Sequence, residues 1–322
     1  MSMTLNQLKA FALVARLGSL RAAAAELAVS EPAVSAALAA LRQDLGDPLF
    51  VRAGGGIALT PGGRALAAHA QEIVGLADHV RREVAQAEAA SGSLRVLATA
   101  DFAEHAAGRL VDYYTRRVPG ATVDVVVEPA ADMAALLANH AYDIALGSRP
   151  QPPQHPALEV VPFLRYQRVL VASPGHPLAR LEGAALAGQL PDHRWFTGPA
   201  GLDGLDLQRW LGPLPGPPET IEMSSETSAL AAVRSGEGIM LALEHIVRPE
   251  LADGLLARLP AAGTPLPGLW WASTLDHGRA TAAARTLQRI AGTAQATAAM
   301  VAPGGPRGLA RRGSKVRVAL WS

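Results

Sequence analysis

The sequence predicts a chain of three parts: a small helical domain with a β-hairpin, one long helix, and a large two-lobed α/β domain. Three observations predict it. Residues 19–41 read as two short capped helices joined by a tight turn, and residues 61–90 carry an apolar repeat of 3.5 residues. From residue 94 onward, apolar strands alternate with helices. At 322 residues the chain exceeds the ~100–200 residues usual for one domain, and 49% hydrophobic residues suffice for several cores.

Leu5 to Ala15 places Leu5, Leu8, Phe11, Ala12 and Ala15 on one helical face, and Gly18 ends that helix. Ser19 can cap a second helix burying Leu20, Ala23, Ala24 and Leu27. Ala28-Val29 makes the turn, and Ser30 caps a third helix with Pro32 in its first turn. This is the pattern of a helix-turn-helix, whose second helix enters a DNA major groove. After Asp44-Leu45-Gly46-Asp47, residues 48–60 (PLFVRAGGGIALT) read as a two-stranded hairpin turning at Gly54–Gly56, the wing of a winged helix-turn-helix.

On the third helix, Glu31, Pro32, Ser35, Ala36 and Ala39 face outward. Ser35 is the polar side chain best placed for a base edge, and Ala33 and Ala36 for a thymine methyl. Arg42, Arg21 on the preceding helix and Arg52 at the base of the wing are phosphate candidates. The helix pair alone would fit any alanine-rich helical domain; the adjoining hairpin favours DNA.

Thr60-Pro61 starts the long helix, and no proline interrupts the chain again until Pro119. Its seam of Leu66, Ala70, Ile73, Ala77, Val80, Val84 and Ala87 suits packing against a like helix, over a length of ~45 Å. A two-fold dimer so formed would present two recognition helices to a pseudo-palindromic duplex. A long intradomain helix is the alternative.

Beyond Ser91-Gly92-Ser93 the period changes to β-α. Strands are expected at 94–98, 121–128 and 142–146, with helices at 101–117 and 132–139. A second unit runs through 168–172, 194–197, 220–223, the helix 227–235 and the strand 238–243. Trp270-Trp271-Ala272 and a helix at 279–291 return to the first unit. Crossing segments near 161–167 and 262–269 would leave a cleft between two lobes.

Ligands of open α/β sheets sit at the carboxyl ends of strands, and anions favour helix amino ends. Candidate effector-binding residues are therefore Thr99, Ala100, Asp101, Ser148, Arg149, Thr197 and Gly198. A carboxylate or hydroxyl-bearing metabolite suits the hydroxyls and amides; Asp101 opposes a strongly anionic one unless it only caps its helix. Surface solvation is the alternative for Arg149. For His105, one turn beyond Asp101, packing or solvation is preferred over bordering the cleft, and His176, in the turn PGHPL, reads as a loop residue.

The chain carries no HExxH, P-loop, GxGxxG after a strand or GxSxG, so no catalytic site is expected, nor a metal or a cofactor. Zero cysteines exclude disulfides, thiolate nucleophiles and Cys-bound metals. Without an apolar span of 18 residues or a secretory signal, the cytoplasm is the expected compartment and no membrane partner is expected. Net charge is only +1, but residues 1–70 hold six basic and four acidic groups, and residues 91–302 sixteen and twenty.

The expected organisation is residues 1–60 for the winged helix-turn-helix and 61–90 for the linker helix. Residues 91–302 form the two-lobed domain, with lobe I at about 91–161 and 268–293 and lobe II at about 168–262. The tail 303–322 has five basic and no acidic residues and is expected to be flexible. Two further readings stay open for it: added non-specific affinity for DNA and, since 315–321 (KVRVALW) alternates, docking as an edge strand.

Residues 4–293 resemble the LysR-type transcriptional regulators. The resemblance rests on L5xxLKAF11, G18SLRAAAAEL27, S30EPAVSAAL38, L45GDPLFVR52 and L59TPGG63, with weaker matches at 171–179 and 235–242. It implies a cleft built like that of a periplasmic binding protein, holding a small effector, and tetramers assembled as dimers of dimers. It places Ser30, Pro32, Ser35 and Arg42 in the recognition-helix region, Arg52 in the wing, and Thr99, Ala100, Ser148, Thr197 and Gly198 on cleft segments. Glu31 stands where glutamine is commoner, and Ala53-Gly54-Gly55-Gly56 replace basic residues at the wing tip. Closure of the lobes on a metabolite would change the angle between DNA-bound subunits. Three alternatives remain: a regulator without effector whose cleft is plugged, with Leu202, Leu205 and Trp210 as candidates; a solute-binding protein; and an α/β enzyme.

Overall fold

The computed structural model describes residues 3–53, 56–87, 93–150, 158–199, 210–211, 216, 218–276, 278–302 and 314–317. The chain divides into two compact units, one of Met1–Ala89 with Ala138–Ala141, the other of Ala90–Leu137 with Tyr142–Ser322.

In the first unit, α1 (Leu5–Leu17) starts at a reciprocal cap between Thr4 and Gln7 and ends at Gly18, left-handed at φ 65°. Ser19 caps α2 (Leu20–Leu27) and Ser30 caps α3 (Glu31–Leu45), each side chain accepting from an amide three residues on. Ala28, left-handed at φ 55°, turns the chain so that α2 and α3 meet at 107°. Leu8, Phe11, Val34, Leu38 and Leu41 fill the space between the three helices, each burial contributing roughly 1.5–3 kcal/mol.

Strands β1 (Phe50–Ala53) and β2 (Gly56–Leu59) pair antiparallel, with Phe50 opposite Leu59 and Ala53 opposite Gly56. Gly56 thus lies in a strand and not in the turn expected for it; Gly54 and Gly55 lie outside the described residues. Asp47 ties the hairpin to the next helix, accepting from the Leu49 amide and the Thr60 hydroxyl, both at 2.6 Å. These bonds, Thr60 first, hold its carboxyl below the usual range. Thr60 in turn caps α4 (Pro61–Ala87) through the Gly63 amide at 2.8 Å. A Cβ on Gly63 would lie 2.1 Å from the Leu49 carbonyl oxygen, so only glycine fits there.

The linker helix α4 has two apolar faces. Ala70 is fully buried, and Leu66, Ala67 and Val74 pack beside it on the same core as α1. Lys9 of α1 pairs with Asp78 at 2.9 Å. Leu66 and Ala70 therefore leave the expected dimer seam, and Ala77 is half-buried. A straight helix advances 3.6 residues per turn, so a 3.5-residue stripe drifts round its surface, and α1 covers the first part. The exposed stripe is Ile73, Leu76, Val80 and Val84.

The second unit is built on one continuous sheet. At one end β3 (Ser93–Ala98) lies between β4 (Thr122–Val127) and β5 (Ile144–Gly147), all parallel. At the other, β7 (Trp195–Thr197) lies parallel to both β8 (Thr220–Glu222) and β9 (Ile239–Leu243). The ends are joined by two long antiparallel strands, β6 (Leu158–Ala172) and β11 (Leu266–Leu275), which are the expected crossing segments. The short strand β10 (Ala257–Arg258) pairs with β6.

Helices cover both lobes. On lobe I lie α5 (Ala100–Phe102), a π-helical stretch over Ala103–Ala107 and α6 (Gly108–Arg117), continuous with one another, then α7 (Ala130–Ala138). Lobe II carries α8 (Gly183–Gln189), α9 (Glu226–Arg234) and α10 (Glu244–Ala252). Helices α11 (Ala282–Ala291) and α12 (Ala294–Val301) return to lobe I. Phe102 stands edge-on to Phe163 at 5.5 Å and to Trp270 at 5.1 Å, each pair adding ~0.5–1.5 kcal/mol beyond burial.

Two expectations change here. Within the tail, β12 (Ser314–Arg317) adds to the sheet as a parallel strand on β4, so this stretch docks as a strand instead of staying free. The rest of 303–322 lies outside the described residues. Trp210 does not plug the cleft: its ring packs 6.0 Å from Trp195 and its Nε1 donates to the Ala262 carbonyl, in the lobe II core. Leu202 and Leu205 lie outside the described residues.

Candidate DNA-reading face and interlobe site

The outer face of α3 is set by what its inner face buries. With Val34, Leu38 and Leu41 in the core, Glu31, Pro32, Ser35, Ala36, Ala39 and Arg42 are exposed. Glu31 occupies the first turn, where the partial positive charge of the helix end favours a carboxylate, so it has a structural role whatever it faces. The Arg42 guanidinium lies 6.0 Å from the Phe50 ring centroid, which links the end of α3 to the wing. Arg21 and Arg52 are exposed. The three elements expected to meet DNA thus sit in one unit, with Ser30 as the cap of α3.

In the second unit the carboxyl ends of β3 and β5 meet at Thr99. Its hydroxyl donates to Asp101 at 2.7 Å and accepts from the Ser148 amide at 3.3 Å. Gly147, at φ 126°, would put a Cβ 1.9 Å from that hydroxyl oxygen, so the close approach requires glycine. The Thr99 hydroxyl, expected to be a ligand donor, is therefore committed within the protein.

Asp101 is not a cap. It is buried, and its Oδ2 accepts from Trp270 Nε1 at 3.1 Å and from Arg168 at 3.3 Å. Arg168 also donates to Glu226 at 2.8 Å, and the other Glu226 oxygen meets His105 Nε2 at 2.8 Å. Burial alone pushes Glu226 up; the Arg168 guanidinium and the His105 hydrogen bond outweigh it and hold the group at about 2. Burial likewise disfavours the Arg168 charge, and Glu226 and Asp101 reverse this, so it stays cationic. Packing or solvation does not describe His105, which joins the lobes.

Gly198 is buried against Glu226, whose Cγ would lie 2.8 Å from a Cβ there. Thr197 is buried, and no partner for its hydroxyl is found among the described residues. Ala100 is partly covered in the first turn of α5. Arg149 is exposed, its guanidinium 5.2 Å from the Trp271 ring centroid, so it stacks on an aromatic instead of joining the buried ions. His176 accepts from the Leu178 amide through Nδ1 and so caps a short helical turn; its ring lies 4.8 Å from His193.

The residues that sequence reasoning missed are Glu104, Arg168, Glu226 and Trp270. Arg168 carries a signal, a lone charge opening the apolar run Val169–Ala172. Glu226 carries a weaker one, following the cap Ser225. The meeting of Glu104 with α9, 122 residues away, has none.

A helix-turn-helix with a wing, a linker helix and a two-lobed α/β domain define a transcriptional regulator with an effector-binding type of domain. The chain belongs to the LysR family. Residues 5–64 match the bacterial regulatory helix-turn-helix proteins of the lysR family, and residues 87–296 match the LysR substrate binding domain. It is thus a regulator and not an enzyme. An uncharacterized HTH-type transcriptional regulator of Mycobacterium tuberculosis is 37% identical over 325 residues, covering 99% of this chain and 100% of the relative. The HTH-type transcriptional regulator CfxR of Cupriavidus necator is 30% identical over 283 residues, 86% of this chain and 87% of its own. The crystal structure of ArgP from Mycobacterium tuberculosis shares the fold at a TM-score of 0.63 and 22% identity, over 89% of this chain and 97% of that one. No single helix among the described residues is long and apolar enough to cross a membrane.

Proposed function

We propose that the protein binds pseudo-palindromic double-stranded DNA as a homodimer and alters its grip when a small polar molecule engages the interlobe region. The observation that carries the DNA half is the exposed Ser35–Ala36 face of α3, at 107° to α2 and next to a hairpin bearing Arg52. Ser35 reads a base edge, and Arg21, Arg42 and Arg52 hold phosphates. The exposed stripe Ile73, Leu76, Val80 and Val84 pairs two linker helices. A dimer of such dimers is the further assembly that the family resemblance suggests.

For the effector, three carboxylates stand together, Asp101 and Glu226 paired with Arg168 and His105 and Glu104 with the amides of Glu226 and Thr227, which weighs against a strongly anionic ligand and favours a neutral polar one. A second reading, a regulator without effector, is favoured by one observation: Thr99, Asp101, Arg168 and Glu226 satisfy one another.

Footprinting of variants tests the DNA half. Ser35→Ala costs ~1–3 kcal/mol and relaxes base preference if Ser35 makes a base contact, whereas Arg42→Ala and Arg52→Ala weaken all sequences alike. An unchanged footprint for Ser35→Ala combined with Arg42→Ala would refute the assignment.

A further inference from the structure

Helix α9 begins at the edge of lobe II, and the amides of its first three residues, Glu226, Thr227 and Ser228, have no partner within the helix. The Ser225 hydroxyl accepts from the Ser228 amide at 3.0 Å. The other two, of Glu226 and Thr227, donate to the two carboxylate oxygens of Glu104 at 2.9 and 2.8 Å. The Thr227 hydroxyl donates to the same carboxylate. Glu104 belongs to lobe I, in the π-helical stretch that follows α5. A carboxylate on a helix amino end is favoured by the partial positive charge there.

Behind it, His105 and Arg168 hold the Glu226 carboxylate, and Arg168 reaches Asp101. Thr227 is exposed, while the His105 and Glu226 side chains keep only 8% and 12% of their surface. The Glu104 contact therefore lies at the rim of a buried ionic bridge. Through these bonds Glu104 and His105 tie lobe I directly to α9 of lobe II.

We infer that Glu104 is a latch between the lobes, and that its release from the amino end of α9 is the opening step through which the domain is regulated. The regulatory role rests on the reading of this region as effector-binding; the latch itself rests on the contacts. An incoming effector then acts by unlatching closed lobes, the reverse of closing open ones. π-helical turns recur at functional sites, and here the turn, on lobe I, sets Glu104 and His105 side by side against α9 of lobe II.

The chain has no cysteine, so Asp112→Cys on α6 and Gln189→Cys on α8, both exposed, give each protomer two spin labels, and mixing labelled with excess unlabelled full-length chain isolates the distance within one protomer. With Glu104 present, the interlobe distance distribution should be single and narrow. Glu104→Ala should lengthen and broaden it and raise amide exchange at Glu226 and Thr227 at least tenfold. Glu104→Gln, which keeps one good acceptor and the same shape, should shift it the same way by less. Arg234→Ala, which breaks an ion pair internal to lobe II, should leave it unchanged. A distribution unmoved by Glu104→Ala and Glu104→Gln, with or without faster exchange, makes Glu104 a local cap and overturns the latch. A broad distribution with Glu104 intact overturns it too. Footprinting the same labelled protein separates the two claims: a specific footprint with unmoved labels sinks the latch alone, and no specific footprint sinks the regulator reading.

Discussion

Arg168 shows how one buried charge organises a site. Leaving a guanidinium buried without partners is strongly unfavourable, and removing one partner of such a pair typically costs ~3–5 kcal/mol. Asp101 and Glu226 supply the opposite charges, from different lobes. His245 marks the limit of that network. It stands edge-on to Trp270 at 6.3 Å, with a buried Nε2 for which no hydrogen-bond partner is found among the described residues. Burial, then His105, Arg109, Arg248 and Arg168, press its value from 6.5 to about 4. Between those values the unfolded chain binds a proton that the folded one refuses, so stability falls as pH drops from 6.5 to 4. Glu226, held at about 2 against 4.5, contributes stability above 4.5 that is lost as pH falls through 2. Thermal midpoints should therefore fall continuously below pH 6.5, and His245→Gln should flatten the upper part of that fall. A wild-type midpoint constant from pH 6.5 to 4 would contradict this environment for His245.

At the scale of elements, the linker helix shows why a repeat in sequence does not name its partner. Leu66, Ala70, Ile73 and Val80 lie on one heptad pattern, yet the first two pack on the core shared with α1 and the last two are exposed. Charge on the exposed part should then act only on assembly. Ile73→Asp should convert dimers to monomers in sedimentation while leaving the monomer's helical content intact, because the aspartate would face its own symmetry mate. Ala70→Asp should instead unfold the amino-terminal unit. Equal sedimentation of Ile73→Asp and wild type would place the interface elsewhere. The wing was legible as a hairpin from its apolar residues and glycines, whereas its lock, Asp47 on Thr60, required the two ends of the hairpin to be seen together.

For the whole molecule, the legible features were local ones. Caps at Ser19 and Ser30, glycine at the end of α1 and period changes at 61 and 93 each depend on a few adjacent residues. The strand ends Thr99, Ser148 and Gly198 were legible for the same reason, since ligand sites of α/β sheets follow from topology. What stayed hidden depends on distant elements meeting: Glu104 with α9, Asp101 with Arg168, and β12 with β4. The expectation of a carboxylate ligand rests on hydroxyls and amides along the chain and sets only Asp101 against it, without the Glu104 and Glu226 carboxylates that the fold brings to the same place.

The most direct test of the account is a binding titration of the full-length protein on its own promoter fragment and on a scrambled duplex, at one salt concentration. The account predicts two protected half-sites related by a dyad, with centres ~34–36 Å or a multiple apart. It also predicts an affinity at least ~1,000-fold above that for the scrambled duplex. Equal affinity for the two duplexes, or protection without two-fold arrangement, would contradict it.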